Sequence, residues 1–203
     1  MDGVWHVFPD GATKPGKGWS HFASPDLLRW EPQVDSVVAG SDTGSVSTTP
    51  SGTFALYPDT VNGTRGVQLQ VLQQPTLGLN ATWGTPTTSI PKPASLGVGF
   101  RDPARALRME DGSFYVGVGS GFGGENNKSS LPGSGTGCLA WFKARSDALE
   151  AFDYVGCLLE NNHTTGHIDP ATVSWQDDDK VAAFFECPDV FPLGDKFVVM
   201  ASL

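Results

Sequence analysis

Gly66-Val67-Gln68-Leu69-Gln70-Val71-Leu72-Gln73-Gln74 alternates apolar and polar side chains from Val67 to Val71. On an extended backbone Val67, Leu69 and Val71 share one face, and Gln68 and Gln70 the other, because successive side chains of a strand point to opposite sides. The stretch therefore predicts a half-buried strand with its glutamines toward water. Similar runs lie on both sides of it, at 3–8, 53–59, 113–120, 137–144, 171–175, 181–191 and 196–202. Each is short and bounded by turn residues. Asp111-Gly112 and Leu193-Gly194-Asp195 stand where hairpin turns are needed. No segment sustains the three-and-four spacing of a helix, so the fold class read from the chain is all-β.

Composition points the same way. The 203 residues are 39% hydrophobic and only 17% charged, with 25 Gly and 15 Pro. Such turn-rich, charge-poor chemistry favours many short strands, in a chain long enough for one domain with a real core. A net charge of −9 argues against nucleic acid as a partner. A neutral ligand such as a sugar is compatible with it. No apolar run approaches the roughly 20 residues that span a bilayer, so no membrane partner is expected. The opening MDGVWHVFPD has no basic and apolar leader pattern, and the chain ends abruptly on KFVVMASL. Both ends read as cuts from a longer protein. Asn-x-Ser/Thr sequons at Asn62, Asn80, Asn127 and Asn162 suggest a secreted or vacuolar protein, provided a leader precedes this chain. Of Cys138, Cys157 and Cys187, the first two could bridge in an oxidising context, but the spacing alone does not favour the bridge. The oligomeric state is left open.

A faint internal echo refines the fold. Ser24-Pro25-Asp26-Leu27-Leu28-Arg29-Trp30 resembles Arg145-Ser146-Asp147-Ala148-Leu149, and each follows a strand pattern with aromatic residues. A strand, a Ser/Asp turn, then Leu and an aromatic, recurring in an all-β chain, fits the blades of a propeller, although two unrelated turns would read the same. With roughly 40–50 residues per blade, the chain holds about four blades at most. The Gly- and Ser-rich stretch 121–137 and the proline-bearing stretch 84–99 read as long connections of the kind that rim a propeller's ligand funnel.

Three polar groups could carry chemistry. In Gly99-Phe100-Arg101-Asp102-Pro103, the residue before proline avoids the helical region, and the adjacent Arg101 favours an ionised Asp102. In Phe184-Phe185-Glu186-Cys187-Pro188-Asp189, apolar neighbours would desolvate Glu186 and raise its pKa, as a general acid requires. Asp42-Thr43-Gly44-Ser45-Val46-Ser47-Thr48 reads as a polar turn that could touch a ligand. Trp19 and His21 could offer a platform to a sugar ring, and Trp19 could equally serve the core. The plain alternatives are a surface Arg-Asp pair and an edge-strand Glu facing water.

Taken in order, these pieces resemble the family-32 glycoside hydrolases, the invertase and fructan hydrolase family. Gly3-Val4-Trp5-His6-Val7-Phe8 is similar to the family's second strand. Trp19-Ser20-His21-Phe22-Ala23-Ser24-Pro25-Asp26-Leu27-Leu28-Arg29-Trp30 resembles its W-G-H-x-x-S-x-D-L-x-x-W stretch. Asp42 to Ser47 is similar to its D-x-G-x-x-S stretch, Arg101-Asp102-Pro103 to its R-D-P motif, and Glu186-Cys187-Pro188-Asp189 to its E-C-P-D motif. The resemblance covers nearly the whole chain. It implies a five-bladed β-propeller, incomplete here, that cleaves terminal β-fructofuranosyl bonds of sucrose or fructans with retention. It further implies Glu186 as general acid and then base, and Asp102 as transition-state stabiliser. Arg101, Ser47, Trp19 and Asp42 become substrate-binding candidates. Neither a metal nor an organic cofactor is expected.

The chain also departs from the family pattern. The family's nucleophile is the Asp of an Asn-Asp-Pro-Asn motif before the second strand, and these 203 residues contain no such motif. Asp2 is followed by Gly, so the role is not assigned to it. Phe8 is followed by Pro9-Asp10 instead of Tyr-Gln, and Val46 stands where a Trp usually precedes the Ser. The family's last blades and C-terminal β-sandwich have no counterpart in residues 1–203. Three readings follow: a piece of an active β-fructofuranosidase, an inactive relative that binds fructosyl sugars, or another five-bladed glycosidase such as an arabinan-cleaving one. The sequence leaves open sucrose against inulin or levan, and hydrolysis against transfer. An unclosed propeller is also expected to be unstable alone, because strand edges are exposed.

Overall fold

The computed structural model describes residues 3–9, 18–33, 43–61, 64–71, 73, 82–96, 100–122, 136–161 and 185–202. Among them are thirteen strands and no helix, in four antiparallel sheets of consecutive strands. The first holds β1 (Trp5–Val7), β2 (Phe22–Ser24) and β3 (Glu31–Pro32). The second holds β4 (Ser45–Thr49), β5 (Gly52–Val61), β6 (Thr64–Val71) and β7 (Thr87–Pro91). The third holds β8 (Leu107–Arg108), β9 (Phe114–Phe122), β10 (Thr136–Ala144) and β11 (Phe152–Asn161). The fourth holds β12 (Glu186–Leu193) and β13 (Lys196–Ser202). Four up-and-down sheets in sequence order are blades of a β-propeller, as the length allows.

What joins the blades is the alternation of their strands. On β5, Phe54 and Leu56 enter a cluster shared with the third sheet, while Ala55 and Tyr57 enter one shared with Trp19, Phe8 and Trp83. On β9 and β10, Val116, Val118, Cys138, Ala140 and Phe142 face the second sheet. Leu139 and Trp141 face Phe185 and Val190 at the fourth. Each central strand is thus buried on both faces. That explains one departure from expectation in the opening stretch. Gln68 and Gln70 are not toward water but 3% and 1% exposed. Their amides instead donate to Thr88 Oγ1 at 3.0 Å and the Gly84 carbonyl at 2.8 Å. A buried amide is tolerated because it is bonded.

The structure contains strands that the pattern did not predict. Ser45–Thr49, read as a turn, is the strand β4 that opens the second sheet. The stretch 84–99 contains β7, an edge strand ending at Pro91, a place where a missing N–H costs no ladder bond. β11 has no clean alternation because its pairing with β10 shifts twice, between Leu139/Ala140 and between Trp141/Phe142. The skipped residues Leu158 and Val155 are exposed. The stretches 171–175 and 181–184 lie outside the described residues, as do 123–135 and the asparagines of all four sequons. The Ser/Asp echo is structural. Both segments are turns, joining β2 to β3 and β10 to β11, and each carries a leucine at positive φ, Leu27 at 64° and Leu149 at 55°.

Cys138 and Cys157 form a disulfide across β10 and β11, with Cα atoms 5.5 Å apart. The pairing that spacing left unfavoured follows from the shifted register, which sets Cys157 opposite Ala140, within reach of Cys138. Closing a loop of this length constrains the unfolded chain by about 3 kcal/mol. Denaturant titration with and without a reductant is expected to show that loss, and a Cys157→Ser variant should be indifferent to the reductant.

Candidate active site

The site is assembled on the middle of β9. Arg101 N–H donates to the Gly119 carbonyl at 3.0 Å, and Ala104 N–H to the Gly117 carbonyl at 2.8 Å. Phe185 N–H donates to the Ser120 carbonyl at 3.1 Å. Two segments far apart in sequence, 101–104 and 185–187, are thereby laid against one strand. Glycine makes this possible. A Cβ on Gly119 would stand 2.3 Å from the Phe185 carbonyl oxygen and 3.2 Å from that of Arg101. Gly117 and Gly119 inside a strand were the available signal for such an approach. Since backbone atoms must move, Gly119→Ala is expected to cost roughly 1–3 kcal/mol. A thermal melt checks it.

Within this frame Asp102 and Cys187 both take left-handed backbone, φ 55° and 46°. Each such non-glycine residue costs of order 1–3 kcal/mol and persists where surrounding contacts over-determine it. Here they do. Asp102 Oδ2 accepts the Cys187 N–H at 3.0 Å and the Cys187 thiol at 3.6 Å. Arg101 forms an ion pair with Glu186, and its Nε lies 3.9 Å from Asp102 Oδ2. Arg105 Nη2 lies 3.3 Å from Asp189 Oδ2. Cross-links therefore join 101–105 to 186–189 along their length. Asp102 is buried. Glu186 is not in the apolar setting expected of it, because its side chain is 36% exposed and faces a guanidinium. The apolar Phe185 points instead into the cluster with Val190.

The other candidates are placed as follows. Ser45 Oγ donates to the Ala104 carbonyl at 2.9 Å, and Ser47 Oγ accepts the Ala106 N–H at 2.9 Å. Both serines of β4 thus hold the chain just after Asp102, and Ser47 itself is buried. Trp19 is buried edge-on against Tyr57, with centroids 6.1 Å apart. Asp42 lies outside the described residues. His21 is stacked on Phe8 at 4.5 Å, and its Nε2 is 2.9 Å from His6 Nδ1.

These elements border a cleft of about 580 Å³, lined among others by Trp5, His6, Trp19, Asp102, Arg105 and Asp189. Burial pushes the Cys187 thiol pKa up, helped by the charge and hydrogen bond of Asp102. Burial, then the neighbouring His6, lowers His21 to about 4. Among the described residues no three His, Cys, Asp or Glu side chains gather as a metal centre would require.

The chain matches the Glycosyl hydrolases family 32 N-terminal domain over residues 1–203, and it belongs to that family. Solved structures of similar fold include fructan 1-exohydrolase IIa of Cichorium intybus in complex with 1-kestose. Its TM-score is 0.65 at 19% identity, over 96% of this chain and 34% of that one. A Bombyx mori β-fructofuranosidase gives 0.65 at 20% identity, over 99% of this chain and 39% of that one. An Aspergillus kawachii β-fructofuranosidase complexed with glycerol gives 0.64 at 18%, over 94% and 34%. The chain thus spans little more than a third of their length. No curated protein matches it.

Proposed function

We propose that this chain is part of a glycoside hydrolase that cleaves terminal β-fructofuranosyl bonds of sucrose or fructans with retention. The observation that carries the reading is the convergence of Asp102 and Glu186, 84 residues apart, on one glycine-rich strand beside a cleft. Glu186 protonates the departing oxygen and, as a carboxylate, then takes the proton of the attacking water. It must carry a proton for the first step, so its pairing with Arg101 gives way as substrate enters. Asp102 stabilises the oxocarbenium-like transition state and accepts hydrogen bonds from fructose hydroxyls. Arg101, which meets both carboxylates in the sugar-free site, then contacts the sugar, and Trp19 backs it. The retaining route also needs a nucleophilic carboxylate about 5–5.5 Å from the acid. The family's Asn-Asp-Pro-Asn would supply it. The test is fructose release from sucrose, inulin and levan by full-length protein bearing these residues. If all three sugars are left untouched, the reading is wrong.

A second reading, favoured by Pro9-Asp10 standing after Phe8 in place of Tyr-Gln, is a fructosyl-sugar binder without turnover. Fructose release by the 203-residue chain itself, abolished in Glu186→Gln, would exclude it. We further infer a secreted or vacuolar location. The disulfide and the four sequons support it, since such bridges persist in oxidising compartments. Mass spectrometry of the native protein for glycans at Asn62, Asn80, Asn127 and Asn162 tests it.

A further inference from the structure

The segment that carries Asp102 does not run in regular pairing with its neighbour strand. Arg101 pairs with Gly119 and Leu107 with Tyr115, so six steps of one chain lie against four of the other. The surplus makes residues 102–106 a bulge, and a bulge beside a site re-aims the side chain it carries. Here that side chain is the buried carboxylate of Asp102, on backbone at φ 55°. β9 holds the bulge through the Ala104 N–H, which donates to the Gly117 carbonyl at 2.8 Å.

The other hold comes from the second blade. Ser45, Ser47 and Thr49 share one face of β4, and all three are buried. Each gives its hydroxyl to backbone of the third blade. Ser45 Oγ donates to the Ala104 carbonyl and Ser47 Oγ accepts the Ala106 N–H, both at 2.9 Å. Thr49 Oγ1 donates to the Asp147 carbonyl, in the turn between β10 and β11. Phe54 and Leu56, paired beside the serines, already supply the apolar contact between the blades. What the hydroxyls add is direction, since a hydrogen bond fixes distance and angle. Ala104 is thereby gripped from both sides, two residues from Asp102. Ser47 does not border the cleft, so its hydroxyl acts on the chain and not on a bound sugar.

We propose that Ser45 and Ser47 are positioning residues for Asp102, a clamp from the second blade that fixes the bulge and so aims the carboxylate at the fructosyl unit. This rests on the function proposed above and deepens it. Without the clamp the left-handed backbone at Asp102 relaxes, because contacts that over-determine it are gone.

The test uses full-length protein bearing these residues, with two readouts. Fructose release reports catalysis. Alkylation of Cys187, located by peptide mapping, reports the position of Asp102 without turnover, because Asp102 Oδ2 accepts both the Cys187 N–H and its thiol. Ser45→Ala and Ser47→Ala should each lower kcat/KM about ten- to a hundredfold, the scale of a misplaced catalytic group, and speed alkylation about two- to fivefold. In an Asp102→Asn background both effects should shrink to within about twofold, because residues that act through one group are not additive. Thr49→Ala removes a hydroxyl of the same row away from Asp102. It should lower the melting temperature and leave both readouts at the parent value, which separates aim from stability. Unchanged alkylation in the serine variants, unchanged turnover in an active parent, or a loss that persists in full beside Asp102→Asn overturns the proposal. If the parent releases no fructose yet the serine variants speed alkylation, the functional reading falls and the clamp on Asp102 stands.

Discussion

Asp102→Asn is expected to lower fructose release by roughly a thousandfold or more in the full-length enzyme, the scale of losing a group that acts in the transition state. The substitution is chosen for what it leaves intact. Asn tolerates the left-handed backbone, φ 55°, better than other non-glycine residues. Its amide oxygen can still accept from Cys187 N–H, the bond that Asp102 Oδ2 accepts at 3.0 Å. Only the charge is lost. Asp102→Ala removes the acceptor as well and strands a partly buried N–H, so it should also destabilise by about 1–2 kcal/mol. A second readout needs no turnover. The Asp102 charge and hydrogen bond both hold the Cys187 thiol in its protonated form. In Asp102→Asn the thiol should ionise at lower pH and react faster with an alkylating reagent at fixed pH. Within residues 1–203 Cys187 is the free cysteine beside the one disulfide, so the alkylated site is identified by peptide mapping. Unchanged thiol reactivity, together with unchanged turnover, would show that Asp102 neither faces Cys187 nor serves catalysis.

How much of this could be read from the residues follows from what strand geometry encodes. Alternation at Val67-Gln68-Leu69-Gln70-Val71 identified β6, because a period of two survives any packing. It did not say that both faces would be covered, since a glutamine bonded to Gly84 looks in sequence like one facing water. β11 was invisible because two bulges break the period. Likewise β4 is built of Ser, Val and Thr, and its serine hydroxyls bond across to Ala104 and Ala106, a contact that no local pattern can carry. The carboxylates themselves were legible through their motifs. Their juxtaposition was not, for it depends on Gly119 of a distant strand. Nor was the partner of Glu186 legible: adjacent Phe185 and Cys187 suggested an apolar pocket, but in a strand neighbours in sequence face opposite ways. What Glu186 meets is Arg101.

The fold should lose stability as pH falls from about 6.5 to 4, by as much as about 3 kcal/mol from one residue. His21 is 2% exposed and stacked on Phe8, and its pKa is lowered to about 4 by burial and by His6. In the unfolded chain its pKa returns to about 6.5. Between these values the unfolded state binds the extra proton and the folded state does not, so stability rises with pH across the window. It is complete above the upper value and lost as the folded pKa is approached. The geometry explains why the proton is refused. His21 Nε2 shares a hydrogen bond with His6 Nδ1, which requires one of the facing nitrogens to be bare. His21 Nδ1 has no partner among the described residues, so a second N–H there would be buried and unsatisfied. Chemical denaturation at pH 7 and at pH 4.5 measures the loss. Carboxylates also contribute in acid, so the decisive quantity is the difference between the parent chain and His21→Asn, which cannot titrate. The variant should be less stable at pH 7, having lost the stack on Phe8, yet show a shallower decline into acid. Equal declines would place the acid sensitivity elsewhere. The His6–His21 contact, beside the cleft, thereby makes the packing of the first blade sensitive to acid.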